Sequence, residues 1–178
     1  MILHQRLAIR DDGGRRLLAA GGRFDHTLNS VPRIHDITTD TDNPPAFVAA
    51  LPARAAEKAA TATYEGLDLA KQHKAGYPDL APLKIELPPA EAFKRALDAA
   101  KAMPGWTVVD SDAASGRIEA NEASRWFGFV DDVVIRVAAD GSASRIDMRS
   151  LSRQGRSDVG VNARRIRAYM EALKARLA

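Results

Sequence analysis

The stretch RSLSRQGRSDVGVNARRIR, Arg149 to Arg167, gathers six arginines and three serines around one acid, Asp158. At a strand-to-helix junction these residue types suit an anion. Free backbone amides and the helix dipole favour negative charge there, and guanidinium groups add bidentate hydrogen bonds. Ser150, Ser152, Arg153, Arg156 and Ser157 are the anion candidates, with Arg149, Asn162 and Arg165 flanking them. The order G-x-x-x-x-G-K-[ST] is missing, so nucleotide hydrolysis is unsupported. A simpler reading carries more weight. Ser157 or Asp158 caps the helix, Gly155 makes the turn, and Arg149 or Arg153 pairs with Asp131 or Asp132.

Asp131 and Asp132 are adjacent, and neighbours on a strand point to opposite faces. Without a bulge they cannot form a close acid/base pair. One of them should face a helix layer, where a buried carboxylate needs an arginine from the last strand or last helix. In HDITTDTDN, Asp36, Thr38, Asp40 and Asp42 alternate as calcium-loop ligands do. That loop requires glycine where Thr41 stands and glutamate where Phe47 stands, so Asp36, Asp40 and Asp42 are weak metal candidates and a turn motif is the better reading. His4, His26, His35 and His73 have neither metal-ligand spacing nor a nucleophile setting. Trp126 and Phe127 could stack a ring, although an aromatic at the edge of the core is the more common use. No cofactor and no catalytic set is expected.

The elements that must position these residues follow from periodicity. Leu83, Ile85 and Leu87 alternate in LKIEL, which predicts a strand ended by Pro88-Pro89. Phe93, Ala96, Leu97, Ala100 and Met103 recur at helical spacing up to Pro104-Gly105. WTVV, RIEANEA, FGFVDDVVIRV and SRIDMRSLS read as four further strands. DSDAASG and AADGS are the turns. Phe129, Val133, Ile135 and Val137 share one face. Ile146 and Met148 point inward, and Arg145, Asp147 and Arg149 outward. A last helix carries Val159, Ile166, Tyr169, Met170, Leu173 and Leu177 on one side. Strand, helix, four strands and helix make an α+β fold, an antiparallel five-stranded curved sheet with two helices on one face. The far face is then solvated, paired with a second copy, or a ligand groove. Ahead of this core (83–178) lie an irregular, Gly-rich arm (1–32) and an extended, partly helical strap (33–82). In the strap Tyr77, Leu80 and Leu83 pack on the core.

The chain has 178 residues, no cysteine and a net charge of +3. Disulfides and thiolate chemistry are excluded. Arginine is favoured over lysine, 19 to 7, which suits bidentate pairing with carboxylates or phosphates. From Arg145 onward nine basic residues face three acidic ones, whereas Asp36 to Pro45 has three aspartates and no base. No run of about 18 apolar residues spans a membrane, and Met1 to Ala20 lacks the apolar core of a secretory signal.

The segments DITTDTDNPPAF, YPDLAPL, MPGW, FGFVDDVVIRV and RSLSRQGRSDVGVNARRIR, in this order from about Arg33 to Leu177, resemble the bacterial and plant family catalogued as domain of unknown function 1499. The resemblance implies no activity, ligand or catalytic residue. Many members carry a membrane segment or lipoprotein signal ahead of the domain, which implies a periplasmic or membrane-associated setting, with the cytoplasm as the alternative. The expected function is a non-enzymatic binding or interaction domain of the bacterial envelope. Its sheet groove would take a small molecule, a lipid or a partner protein, and homodimerisation through the sheet is a further option. The alternative is an anion-, phosphate- or nucleic-acid-binding module built on the C-terminal arginines. The mild overall charge and the lack of any helix-turn-helix or finger motif disfavour nucleic acid.

Overall fold

The computed structural model describes residues 34–123, 128–155 and 160–177. Strand β1 (Asp36–Thr38), helices α1 (Leu51–Ala56) and α2 (Gly66–Gly76) and strand β2 (Leu83–Ile85) precede α3 (Pro89–Lys101). A meander follows, of β3 (Trp106–Asp112), β4 (Arg117–Ala123), β5 (Val130–Asp140) and β6 (Ala143–Ser152), and then α4 (Val161–Lys174). The expected arm lies outside the described residues, as do Trp126, Phe127, Arg156, Ser157, Asp158 and Val159. No helix among the described residues is long and apolar enough to cross a membrane.

The sheet is antiparallel and mixed with helices as expected, with a sixth strand added. Short connections place β3, β4, β5 and β6 side by side. Two short strands share the outer edge of β6. β1 pairs Asp36 with Leu151 and Thr38 with Arg149, while β2 pairs Leu83 with Ile146 and Ile85 with Ser144. β1 is the addition. Its three residues lie in a segment rich in Asp and Thr, where local side-chain chemistry favours turns. Only a partner more than a hundred residues away makes it a strand. The strap also holds two helices rather than one, and β3 runs on to Asp112 through a bulge between Val108 and Asp110.

Alternation divides the sheet into two faces. Ile118, Ala120, Val133, Ile135, Val137, Ile146 and Met148 form the helix-side core with Ala96, Ala99 and Ala100 of α3 and Ile166, Tyr169 and Leu173 of α4. Small residues on α3 let that helix lie close, and Tyr169 stacks on Trp106 with 5.5 Å between ring centroids. Phe129 is a correction. It precedes β5 instead of lying within it and is 51% exposed, so it stays out of the core.

The far face is the larger correction. Over β5 and β6 it is covered by the chain's own residues 36–62, while Thr107 and Val109 of β3 stay exposed. Phe47 and Ala50 pack on Val134 and Leu151, with Ala62 against them. Arg149 and Asp147 do point away from the helices, but they are buried under this cover, at 2% and 1% exposure. A polypeptide that covers an outer face rich in charge must supply a counter-charge for each buried ion.

Candidate functional site

The Asp- and Arg-rich segments meet on that covered face. Arg149 grips Asp36 with two bonds, Nε to Oδ1 at 2.8 Å and Nη2 to Oδ2 at 2.7 Å. Its guanidinium also donates to the carbonyls of Pro45 and Ala62 and lies between the rings of Phe47 and Tyr64. Burial, together with the Asp36 charge, pushes the Tyr64 hydroxyl up to about 12. Asp132 accepts from Arg153 Nε at 2.9 Å and Nη2 at 2.7 Å, and from Arg54 Nη1 of α1 at 2.7 Å. The hydrogen bonds to Asp132 hold the Arg153 guanidinium above its ordinary range. Glu119, fully buried on β4, accepts the backbone N–H groups of Val48, Ala49 and Ala50 at 2.8 to 2.9 Å. These amides belong to the turn that leads into α1, and three converging N–H donors supply the partners that a buried carboxylate needs. Glu119 and Arg54 were missed as candidates. Glu119 falls on the outward phase of RIEANEA, where polarity signals solvent, and Arg54 sits in a short Ala-rich helix with no periodic stripe.

Asp131 points the other way, to the helix layer. Arg165 of α4 donates Nη2 to Asp131 at 2.7 Å and Nε to Glu122 at 2.6 Å. Its Nη1 donates to Ser150 Oγ at 2.9 Å and to Asn162 Oδ1. Ser150 Oγ donates to Asn162 Oδ1 at 2.6 Å, while Asn162 Nδ2 donates to Ser152 Oγ at 2.9 Å and to the His35 carbonyl at 3.0 Å. This cluster ties β6, α4 and the residue before β1 into one joint.

These positions separate the proposed anion ligands. Ser150 and Ser152 face α4, whereas Arg149 and Arg153 lie on the opposite face of the same strand, so the four cannot converge on one ion. Arg156, Ser157 and Asp158 lie outside the described residues. Gly155 is left-handed at φ +83°, as a turn requires. The position before α4 is Gly160, at φ +80°, rather than the Ser157 or Asp158 expected as cap. Asp131 and Asp132 serve separate arginines on separate faces.

The three aspartates of HDITTDTDN also diverge. Asp36 binds Arg149. Asp40 binds Arg136 and Arg145 and accepts the amides of Asp42 and Asn43. Asp42 binds Lys74 at 3.0 Å. Burial opposes the Asp40 charge, but the Asn43 amide and Arg145 outweigh it and hold the carboxyl below its ordinary range. No group of three or more His, Asp or Glu among the described residues is arranged to hold a metal. His73 is buried, and its Nε2 accepts the Thr38 N–H at 3.2 Å. Burial lowers its pKa despite the nearby Asp36 and Asp79. It is a neutral acceptor that helps hold β1 in place.

With the helix side of the sheet and the far side of β5 and β6 covered, hollows remain along the β2 edge. Residues 79–87 run beside α4 and leave a furrow of two neighbouring hollows of about 410 and 390 Å³, both lined by Leu83 and Lys174. Leu83, Ile85, Leu87 and Leu177 form much of the floor of the first, and Leu80, Pro82, Ile166 and Met170 that of the second. A third hollow, of about 350 Å³, is lined by Asp40, Asp42, His73, Lys74 and Arg145, where the carboxylates already hold the cations.

A family profile described as "Protein of unknown function (DUF1499)" matches residues 36–173. No curated protein matches the chain. Among solved structures, the chain is similar to Ara h 8.0201, with a TM-score of 0.40 at 13% identity over 54% of this chain and 93% of that one. It is also similar to TTHA0849 from Thermus thermophilus, with a TM-score of 0.30 at 11% identity over 55% and 94%. For CalU16 from Micromonospora echinospora the TM-score is 0.32 at 12% identity, over 53% and 80%.

Proposed function

The chain belongs to the DUF1499 family, and from that premise we propose that it is a non-catalytic binding domain of the bacterial cell envelope, taking a small molecule, lipid or partner protein in the furrow between residues 79–87 and α4. One observation carries the reading. The chain covers the helix side of its sheet and the far side of β5 and β6, and a hollow with an aliphatic lining is left between β2 and α4. A cleft of this kind, with a few charged groups at its rim, is the usual form of a small-molecule site. The buried carboxylates support a binding role in another way. Asp36, Asp132 and Glu119 are each engaged by guanidinium or amide donors of the chain itself, so none of the three is open to a substrate. The envelope setting rests on the family resemblance.

The alternative, a phosphate or nucleic-acid module using the C-terminal arginines, loses support from the same geometry. Arg149, Arg153, Arg165 and Arg167 each hold an internal carboxylate. Guanidinium groups engaged in this way are unavailable for the counterion release that drives phosphate binding.

Native mass spectrometry of the freshly purified chain, repeated after denaturation, tests the proposal. An added mass of a few hundred daltons, or a bound protein, that denaturation releases is the expected result. A bare chain that also shows no shift in the resonances of residues 79–87 against a small-molecule and lipid panel overturns it. The same spectrum reads whether one copy or two are present.

A further inference from the structure

Resting on the binding-domain reading, we propose that the furrow takes a free single-chain amphiphilic carboxylate. Its acidic head would lie between Arg95 and Arg176, and its tail would cross Leu83 toward Leu80 and Met170. Composition of the first hollow is the starting point. Four cations line it (Lys84, Arg95, Lys174 and Arg176) against one acid, Glu86. They come from β2, α3, the last residue of α4 and the turn after it, so the positive charge is not confined to one helix.

The cations differ in how firmly they are held. Lys84 pairs with Asp140 at 3.4 Å and Lys174 with Glu171 at 2.8 Å, both in exposed contacts that contribute little. Arg176 donates only to a carbonyl, that of Ala172 at 2.9 Å, and Arg95 forms no ion pair with any described residue. Among the described residues, then, two arginines without a carboxylate partner line a hollow with aliphatic walls. An arginine fork suits a carboxylate head, because planar bidentate bonds form without stripping a compact hydration shell.

The floor sets the other half of the ligand. Leu83, Ile85, Leu87 and Leu177 are aliphatic and line the same hollow as the cations. On the other side of Leu83 the neighbouring hollow is lined by Leu80, Pro82 and Met170, where the Asp79–Arg167 pair is internally neutral. Charge at one end and an apolar track leading from it fit a molecule of the same polarity pattern. An inorganic anion would leave the floor wet, and an uncharged hydrocarbon would leave the arginines without a partner.

Dodecanoate below its micelle concentration is the probe, titrated into the full chain and followed by backbone resonances. Saturable shifts confined to residues 80–87, the turn of α3 around Arg95 and residues 166–177 are expected. Dodecanol should bind at least about tenfold more weakly, and Arg95→Ala with Arg176→Ala should weaken dodecanoate by about tenfold, the loss of a charge-assisted contact. Both arginines are exposed, so an unchanged melting temperature should accompany that loss. Equal binding of dodecanol and dodecanoate at the furrow overturns the acidic-head assignment and leaves the binding-domain reading intact. Binding seen only with phosphatidylglycerol vesicles, or shifts elsewhere, overturns the free-ligand assignment. Silence with every probe overturns this inference, and native mass spectrometry then judges the broader reading separately.

Discussion

Asp132→Ala should be among the most damaging single changes on the outer face. The Asp132 side chain is 1% exposed and accepts three charged hydrogen bonds, at 2.7, 2.9 and 2.7 Å. The two donors, Arg54 and Arg153, are 3% and 6% exposed. Removing the carboxylate leaves two guanidinium groups buried at one spot with no shared counter-charge. Breaking a buried pair by deleting one partner costs about 3–5 kcal/mol. Part of that is offset here, because Arg153 keeps Glu57 at 2.5 Å and Arg54 keeps the carbonyls of Ala60 and Ser152. We therefore expect a loss of about 3–4 kcal/mol. With a urea slope of about 2 kcal/mol/M, the unfolding midpoint should fall by about 1.5–2 M. Urea unfolding followed by far-UV circular dichroism reads this directly. Asp79→Ala is the internal control. It breaks the Arg167 pair, whose partners are 41% and 53% exposed, and should cost less than about 1 kcal/mol. If the two variants shift the midpoint equally, the claim that Asp132 anchors the strap to the sheet is wrong.

Acid should loosen β1 through His73. Burial holds its folded pKa below the unfolded value of about 6.5, so the folded state binds fewer protons. The stability this contributes is complete above the unfolded value and is lost as pH falls through the lowered folded one. Urea midpoints from pH 7.5 down to 5 should therefore decline more steeply in the wild type than in His73→Gln, and parallel declines would rule the histidine out. Gly116→Ala tests the β3–β4 turn. At φ +68°, an added Cβ would stand 2.1 Å from the Val137 carbonyl oxygen. The left-handed conformation alone costs about 1–2 kcal/mol, and the backbone clash adds to it. A fall in melting temperature of at least about 5 °C is expected. Gly141→Ala, at φ +64° with nothing within 4 Å, should show only the conformational part. Equal losses at the two glycines would remove the clash from the argument.

Periodicity is written between neighbours in the chain, and it was legible. The alternation in FGFVDDVVIRV and SRIDMRSLS assigns Val133, Ile135, Ile146 and Met148 to the helix side, and they are buried there. The three-and-four spacing of α3 and α4 likewise places Ala96, Ala100, Ile166 and Leu173 in the core. The division of Asp131 and Asp132 between two faces follows from the same rule, since a pleated strand turns successive side chains in opposite directions. Phe129 shows where the rule stops, because it holds only where the strand has begun.

What alternation could not supply was the identity of partners. A guanidinium group attracts any carboxylate, so composition cannot say that Arg149 meets Asp36, Arg153 meets Asp132, or Arg165 bridges Asp131 and Glu122. Those choices depend on which distant segments tertiary packing brings together. β1 has the same dependence. As three residues of Asp, Ile and Thr it has no strand signal of its own, and the edge of β6 makes it one. The outward phase of β6 leaves the far face open to solvent, a second copy or a ligand, because alternation assigns a side and not a partner, and only the folded chain lays residues 36–62 across it. The furrow is likewise tertiary. Its cations come from residues 84, 95, 174 and 176, which no spacing connects and which packing alone sets around one hollow.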